Sequence, residues 1–449
     1  MLFGKVGCFA LCPGRAIHAP HGRPAPYLNT MTYQTLDPGA FLPAALRRSA
    51  MACTLLAAGA AHAGDDLAWK FSGYGTLGAV HASTRSADYT STILRATGAG
   101  ASDRWSPHVD SRLGAQLDVS QGDWSGVLQL VSEQSIEGSY RPRVEWANVK
   151  YQLTPDLAVR LGRIALPVFL AADYRKVGYV LPWVRTPVEV YGALPLSSSD
   201  GIDATWRWSA GSVRNATQVF YGRTNTRVYA DNRLRARGIA GFSHSIEQGP
   251  LSARVSVLRA VLTTGVGSEV FTALRAFGPQ GVALAERYAI ENKRVAMVSA
   301  GLSYDPGHWF ASAEIGRTRT RSILGQTTSM YLGGGYRFNA LTPYLGYAKV
   351  RAHGAIIDPG LPLGGLAPRL QATAAMVNAG LNSYLATIPV QHTASAGLRW
   401  DLADNAALKA QYDRVRPTGG SRGTLINREA DFRSEQTVHV ASVALDFVF

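Results

Sequence analysis

The sequence predicts an all-β fold, a transmembrane antiparallel β-barrel of about 16 strands. Three observations carry this expectation. Apolar and polar residues alternate with period two from Trp69 onward. The connections between strands alternate between short and long. No window approaches the roughly 18 consecutive apolar residues that a spanning helix needs.

The alternation is plain in Ser111 to Val119, where Leu113, Ala115, Leu117 and Val119 share one face and Arg112, Gly114, Gln116 and Asp118 the other. It recurs in Asp156 to Gly162, Ile202 to Trp208 and Gly397 to Leu402. Reading the whole chain this way centres strands on Gly75, Gly114, Val127, Ala147, Val159, Thr205, Val219, Gly241, Val255, Ala300, Ala313, Gly333, Leu345, Gly397, Ala410 and Val443. Each is expected near the roughly 10 residues of a tilted transmembrane strand. Gly73 and Gly75, and the run Gly333-Gly334-Gly335, fall inside strands, so close packing or curvature explains them better than a phosphate loop.

Connections after even-numbered strands are short and rich in turn formers, as in Ser120-Gln121-Gly122-Asp123 and Glu247-Gln248-Gly249-Pro250. Those after odd-numbered strands are mostly long: 81–108, 164–199, 262–293, 352–390 and 417–435. A membrane barrel has this asymmetry because one rim carries tight turns and the other long external loops. Closure also removes the unpaired edges that lipid cannot satisfy.

Cys8, Cys12 and Cys53 are the only cysteines, so disulfides and cysteine-ligated metals are excluded from the bulk of the chain. Neither a cofactor nor a metal is expected, and the histidines lack ligand spacing. Residues 1–46 read as a non-native or unstructured extension, with translation beginning at Met31 or later. Residues 47–63 read as a signal peptide: Arg47 and Arg48 precede an apolar run that ends in Ala61-His62-Ala63, giving a mature barrel of residues 64–449. The whole chain carries 45 basic and 31 acidic residues. Setting aside the five basic residues and one acidic residue of 1–63 leaves 40 against 30, a surplus of 10. The cations are scattered singly, which argues against nucleic-acid binding.

The signal segment, the alternating connections and the closing Ala441-Ser442-Val443-Ala444-Leu445-Asp446-Phe447-Val448-Phe449 resemble Gram-negative general porins. The resemblance covers nearly all of the mature chain as architecture more than as a motif. It implies a sixteen-stranded, usually trimeric barrel of the outer membrane, passing small hydrophilic solutes and ions, whose third external loop is an inward-folded constriction loop that narrows the pore. It further implies that Phe449 is the signal read by the barrel-assembly machinery, in addition to facing outer-membrane lipid.

By position, 164–199 is the constriction loop, with Asp173, Arg175, Lys176, Arg185 and Glu189 as its charged candidates. Opposed charges across a narrow opening would select by charge and dipole. Solvated loop charges are the other reading. Strand parity points Lys70, Arg112, Lys150, Arg160, Arg207, Arg254, Arg337, Arg399 and Lys409 into the lumen, together with Asp118, Asp203, Glu314, Asp401, Asp413 and Asp446. The basic surplus suggests an anion-leaning channel, and a phosphate-specific channel is its sharper form. Other functions that a barrel can host are adhesion or reception, and hydrolysis at the rim. Ser197-Ser198-Ser199-Asp200 has hydroxyls and an acid but no local histidine, so no enzyme is expected.

Overall fold

The computed structural model describes residues 67–449 apart from Ala230 and Ala355. The expected extension, signal peptide and cleavage point after Ala63 lie outside these residues. Sixteen long strands form one antiparallel wall. They are β1 (Ala68–Ala82), β2 (Arg112–Gln121), β3 (Trp124–Glu133), β4 (Arg143–Gln152), β5 (Leu157–Ala165), β6 (Ser198–Ala210), β7 (Val213–Arg227) and β8 (Arg233–Gln248). The second half comprises β9 (Leu251–Thr263), β10 (Lys293–Tyr304), β11 (Trp309–Thr320), β12 (Thr327–Tyr336), β13 (Leu341–Ala352), β14 (Gln391–Ala403), β15 (Ala406–Pro417) and β16 (Val438–Val448). Each of the sixteen centres read from the alternation falls inside its strand.

Every strand pairs with its sequence neighbours, and β1 also pairs with β16, so the wall is closed. A two-residue strand at Trp105–Ser106 adds to β1 from the first long connection. Strand lengths run from 9 to 16 residues, many exceeding the expected ten. The extra length lies mainly toward the long-connection rim. Tight turns at the opposite rim depend on left-handed backbone, which glycine adopts without steric cost: Gly122 has φ 53° and Gly211 φ 59°.

Closure is completed by the last residue. The Phe449 N–H donates to the Gly73 carbonyl at 3.0 Å, and the Gly73 N–H donates to the Phe449 carbonyl at 2.8 Å. On the outer surface the Phe447 and Phe449 rings lie where side chains at Gly75 and Gly73 would otherwise stand. These two glycines are therefore packing sites at the seam.

Outward rows are apolar, with Trp69, Phe71, Leu161, Leu332 and Leu345 all exposed. Inward rows are dominated by small polar groups such as Gln116, Gln129, Ser243, Ser256, Ser299 and Thr342, all buried. The long-connection end is less aqueous than a simple channel. There Phe271, Leu274, Leu381 and Leu385 from helices in two long connections join Phe169, Leu181, Tyr191 and the inward residues Phe220, Ile239 and Leu258 in one apolar core.

Candidate functional site: a segment held across the lumen

Between β5 and β6, residues 166–197 turn into the barrel. Pro167, Pro182, Pro187 and Pro195 each remove a backbone donor, so this stretch cannot continue the ladder. It advances instead by local turns, including Tyr174 N–H to the Ala171 carbonyl at 3.1 Å and Leu181 N–H to the Gly178 carbonyl at 2.9 Å. One helical turn, Val188–Tyr191, follows Pro187.

Its carbonyls and side chains are bound around most of the wall. The Ser256 hydroxyl of β9 donates to the Pro167 carbonyl at 2.8 Å, and Ser299 of β10 donates to Val168. Glu314 of β11 accepts the Leu170 N–H at 2.8 Å and the Tyr191 hydroxyl at 2.5 Å. Trp183 sits edge-on to Phe310, Tyr331 and Tyr344, with centroid separations of 6.1, 6.0 and 6.3 Å. A Cβ at Gly333 would stand 2.9 Å from the Trp183 ring, so the glycine run makes room for this anchor. A space of about 40 Å³ remains between Trp183 to Glu189 and strands β12 to β15.

The five charged candidates of the segment are all engaged. Asp173 accepts from Arg254 at 3.1 Å. Arg175 straps the two limbs together by donating to the carbonyls of Leu194 at 3.1 Å and Pro195 at 3.3 Å. Lys176 donates to Glu133 of β3 and Glu145 of β4, both at 2.7 Å. Burial disfavours the Lys176 ammonium, but these two carboxylates prevail and raise its pKa. Glu189 accepts from Gln391 at 2.7 Å and from Thr393. Burial raises the Glu189 pKa against those hydrogen bonds.

Arg185 is the most fully bound. Its guanidinium forks onto Asp110 at 3.0 and 2.7 Å, and donates to Asp413 at 3.0 Å and to Ser442 at 2.5 Å. It also lies 5.3 Å from the Tyr89 ring centroid. Burial works against the charge, yet Asp110, Tyr89 and Asp413 together raise its pKa well above the usual value. Asp110 and Tyr89 belong to the first long connection, so one side chain ties two connections to the wall.

The wall cations separate into groups. Arg254, Arg399 and Lys409 serve the segment: Arg254 donates to the Phe169 carbonyl at 2.8 Å, Arg399 to Tyr179 at 2.6 Å and Leu181 at 3.0 Å, and Lys409 to Gly178 and Leu181 at 2.7 Å. Lys409 also pairs with Asp446 at 2.8 Å. Arg160 pairs with Asp203 at 3.0 Å, and Arg112 lies 4.0 Å from Glu133. Arg337 stands just past β12, at the short-turn rim, and pairs with Asp305 at 2.7 Å. Lys70 faces Asp118 across β1 and β2. Lys150 and Arg207 have no hydrogen-bond or ion-pair partner through their side chains among the described residues.

Asp110, Tyr89, Glu133, Glu145 and Tyr191 complete this arrangement and were not singled out by sequence reasoning. Their parity or position gives no sign of which distant group they meet. Ser199 and Asp200 face opposite sides of the wall: Ser199 is buried, whereas Asp200 pairs with Arg163 at 2.7 Å on the outer surface. They cannot act on one substrate. Among the described residues no group of three or more His, Cys, Asp or Glu side chains could hold a metal.

No protein-family model matches the chain, and no curated protein matches it. Among solved structures it is similar to the outer membrane channel DcaP of Acinetobacter baumannii, with TM-score 0.50 and 11% identity over 85% of this chain and 97% of that one. It also aligns with a Salmonella typhi OmpF in complex with daunomycin, with TM-score 0.49 and 14% identity over 86% of this chain and 98% of that one. The DcaP alignment supports the fold alone. The chain thus forms a closed sixteen-strand antiparallel barrel of the kind found in a solved outer-membrane channel.

Proposed function

We propose that the chain is an outer-membrane channel that passes small hydrophilic solutes and ions passively. The observation that carries this reading is a closed barrel with an apolar exterior and polar inward rows, crossed by residues 166–197. Lipid tolerates such a wall because every strand is paired. The described fold neighbour DcaP is itself an outer membrane channel.

Selectivity belongs to the wall that the segment leaves unclaimed. There Lys70, Lys150, Arg160 and Arg207 face Asp118 and Asp203, four cations against two anions. This balance favours a modest anion preference. Arg254, Arg399, Lys409, Arg185 and Lys176 hold the constriction in place and contribute to the field as pairs. Export through cleavage after Ala63, insertion by the barrel-assembly machinery through Phe449, and a homotrimer complete the reading. The trimer is supported by an outward groove of about 560 Å³ on β4 to β7, lined by Val144, Leu161, the Arg163 to Asp200 pair and Arg223.

Purified protein in a planar bilayer should give stable conductance steps, and its reversal potential in a potassium chloride gradient should have the sign of anion preference. Folded protein that inserts without conductance would overturn the channel reading. Cation preference would overturn the assignment of selectivity.

A further inference from the structure

Two further connections enter the lumen. Helices Ser268–Arg275 and Gly278–Tyr288 lie between β9 and β10, and helix Pro368–Leu385 lies between β13 and β14. The wall is built to receive them. Gln218, Ser243, Ser256 and Ser299 of β7 to β10 form one inward row by register, and the hydroxyls of Ser256 and Ser299 hold the constricting segment at Pro167 and Val168. One step toward the long-connection rim, the same register aligns Phe220, Gly241, Leu258 and Met297. The inward surface therefore changes from polar to apolar at one height across four strands.

The helices pack onto this apolar arc. Phe271, Leu274, Leu381 and Leu385 are at most 1% exposed, and Phe271 stacks on Tyr384 with 6.5 Å between ring centroids. A Cβ on Gly380 would stand 3.0 Å from Val270, so the helices of the two connections touch closely. The Tyr288 hydroxyl ties the same connections together by donating to Asp358 at 2.6 Å. Exposing one fully buried side chain of this size lowers a population by about tenfold or more, so exposing four lowers it by about ten-thousandfold or more. A smaller apolar cluster covers β15, β16 and β1 at the same end, where Val415, Val438, Val440 and Val80 join Tyr89 and Leu425 of the first and last long connections.

The arc that stays polar is β2 to β6. Inward rows of β2 and β6 carry no large apolar side chain, and β3 and β4 bring Glu133 and Glu145 to their long-connection ends. Strands β2 to β5 have 9 or 10 residues against 13 to 16 in β6 to β9, so the wall is lower on this side. Beside β2, the buried Ser72 and Tyr74 hydroxyls of β1 have no hydrogen-bond partner among the described residues. Buried polar atoms left over by the protein are ordinarily satisfied by water. We infer that the two helix-bearing connections are a second, permanent insertion into the lumen, so that ions and small solutes pass only along β2 to β6, with Arg112 setting charge preference at the outer end of that path. The inference rests on the channel reading. Arg112 lies 4.0 Å from Glu133, which also pairs with Arg95 at 3.0 Å and with Lys176 at 2.7 Å. Lys176 pairs in turn with Glu145, so three cations share two carboxylates and the outer end of the path is net positive.

The test records single inserted barrels carrying either Arg112→Cys or Leu258→Cys, since the described residues contain no cysteine of their own. The anionic reagent sulfonatoethyl methanethiosulfonate is added to both chambers while current flows. Arg112→Cys should be modified roughly a hundredfold faster than Leu258→Cys, with a stepwise fall in current and a reversal potential moved toward cations. Leu258→Cys should keep its current and potential over the same exposure. Loss of current on modification of Leu258→Cys at a comparable rate overturns the inference, as does an Arg112→Cys barrel whose current and potential do not change. Either of those results leaves the channel reading standing. Folded barrels of both variants that never conduct would overturn the channel reading, and this inference with it.

Discussion

Replacing Arg185 by Met removes the charge that two buried carboxylates share while keeping most of the side-chain volume. The Asp110 and Asp413 side chains are 1% and 2% exposed, so neither can turn to water without moving the segment. Deleting one partner of a buried ion pair typically costs about 3 to 5 kcal/mol, because the remaining charge is left without compensation. The barrel ladder does not pass through Arg185, so this cost falls on the packed position of residues 166–197. A loss of that size changes a packed-to-released ratio by roughly two to three and a half powers of ten. The described residues contain no cysteine, so a single Val184→Cys substitution gives a clean reporter. In the Arg185→Met background, labelling of that thiol by an impermeant maleimide should accelerate by about a hundredfold or more, within that range. Single-channel current should rise and become noisier, while heat-resistant folding of the barrel persists. Unchanged labelling and current would show that the packing of Trp183 and the Glu314 bonds suffice, and that the Arg185 cluster does not hold the constriction.

Gly75→Leu places a side chain into the Phe447 ring at the seam and should destabilise closure by about 1 to 3 kcal/mol, read as a smaller heat-resistant fraction. Adding Phe447→Ala should restore it, and normal folding of Gly75→Leu alone would contradict the seam assignment. Glu189 carries a pKa raised above its unfolded value, so its contribution to packing is full below the unfolded carboxyl value and is lost as pH rises through the folded one. Glu189→Gln should keep acceptance from Gln391 and Thr393, remove this pH dependence and slow Val184→Cys labelling near pH 7. Lys150→Glu with Arg207→Glu should move the reversal potential toward cations, by up to about fivefold in permeability ratio per charge passing within 4 Å in water. An unmoved potential would place selectivity elsewhere.

How far the sequence could be read depends on the range of the forces involved. Period two and turn chemistry are local, and they located all sixteen strands, including the glycine-rich stretch at Gly333 that propensity alone would demote. Loop-length parity marked 164–199 as one of five long connections, and the resemblance to general porins implied that this one turns inward. Parity also gave the inward side for Arg160, Arg254, Arg399 and Lys409, whose partners lie across the barrel wall or within the lumen. It could not say that three of these four would be spent on carbonyls of the segment. Arg337 shows the limit in another way: it follows the alternation but lies one residue beyond β12, where the turn directs it to Asp305.

The sequence by itself determined the barrel, its strand count, its two unlike rims and an apolar exterior, because these follow from hydrogen-bond satisfaction and side-chain alternation along one strand at a time. Tertiary structure alone decided which charges meet. Arg185 binds groups 75, 228 and 257 residues away, and such pairings depend on closure bringing remote inward rows around one narrow lumen. It likewise placed Arg317, Arg319, Lys349, Arg351, Arg414 and Arg416 on the outward face near the long-connection rim, so part of the basic surplus lies outside the lumen. That placement depends on where each strand leaves the apolar band, a height set by the register of its neighbours and not by its own sequence.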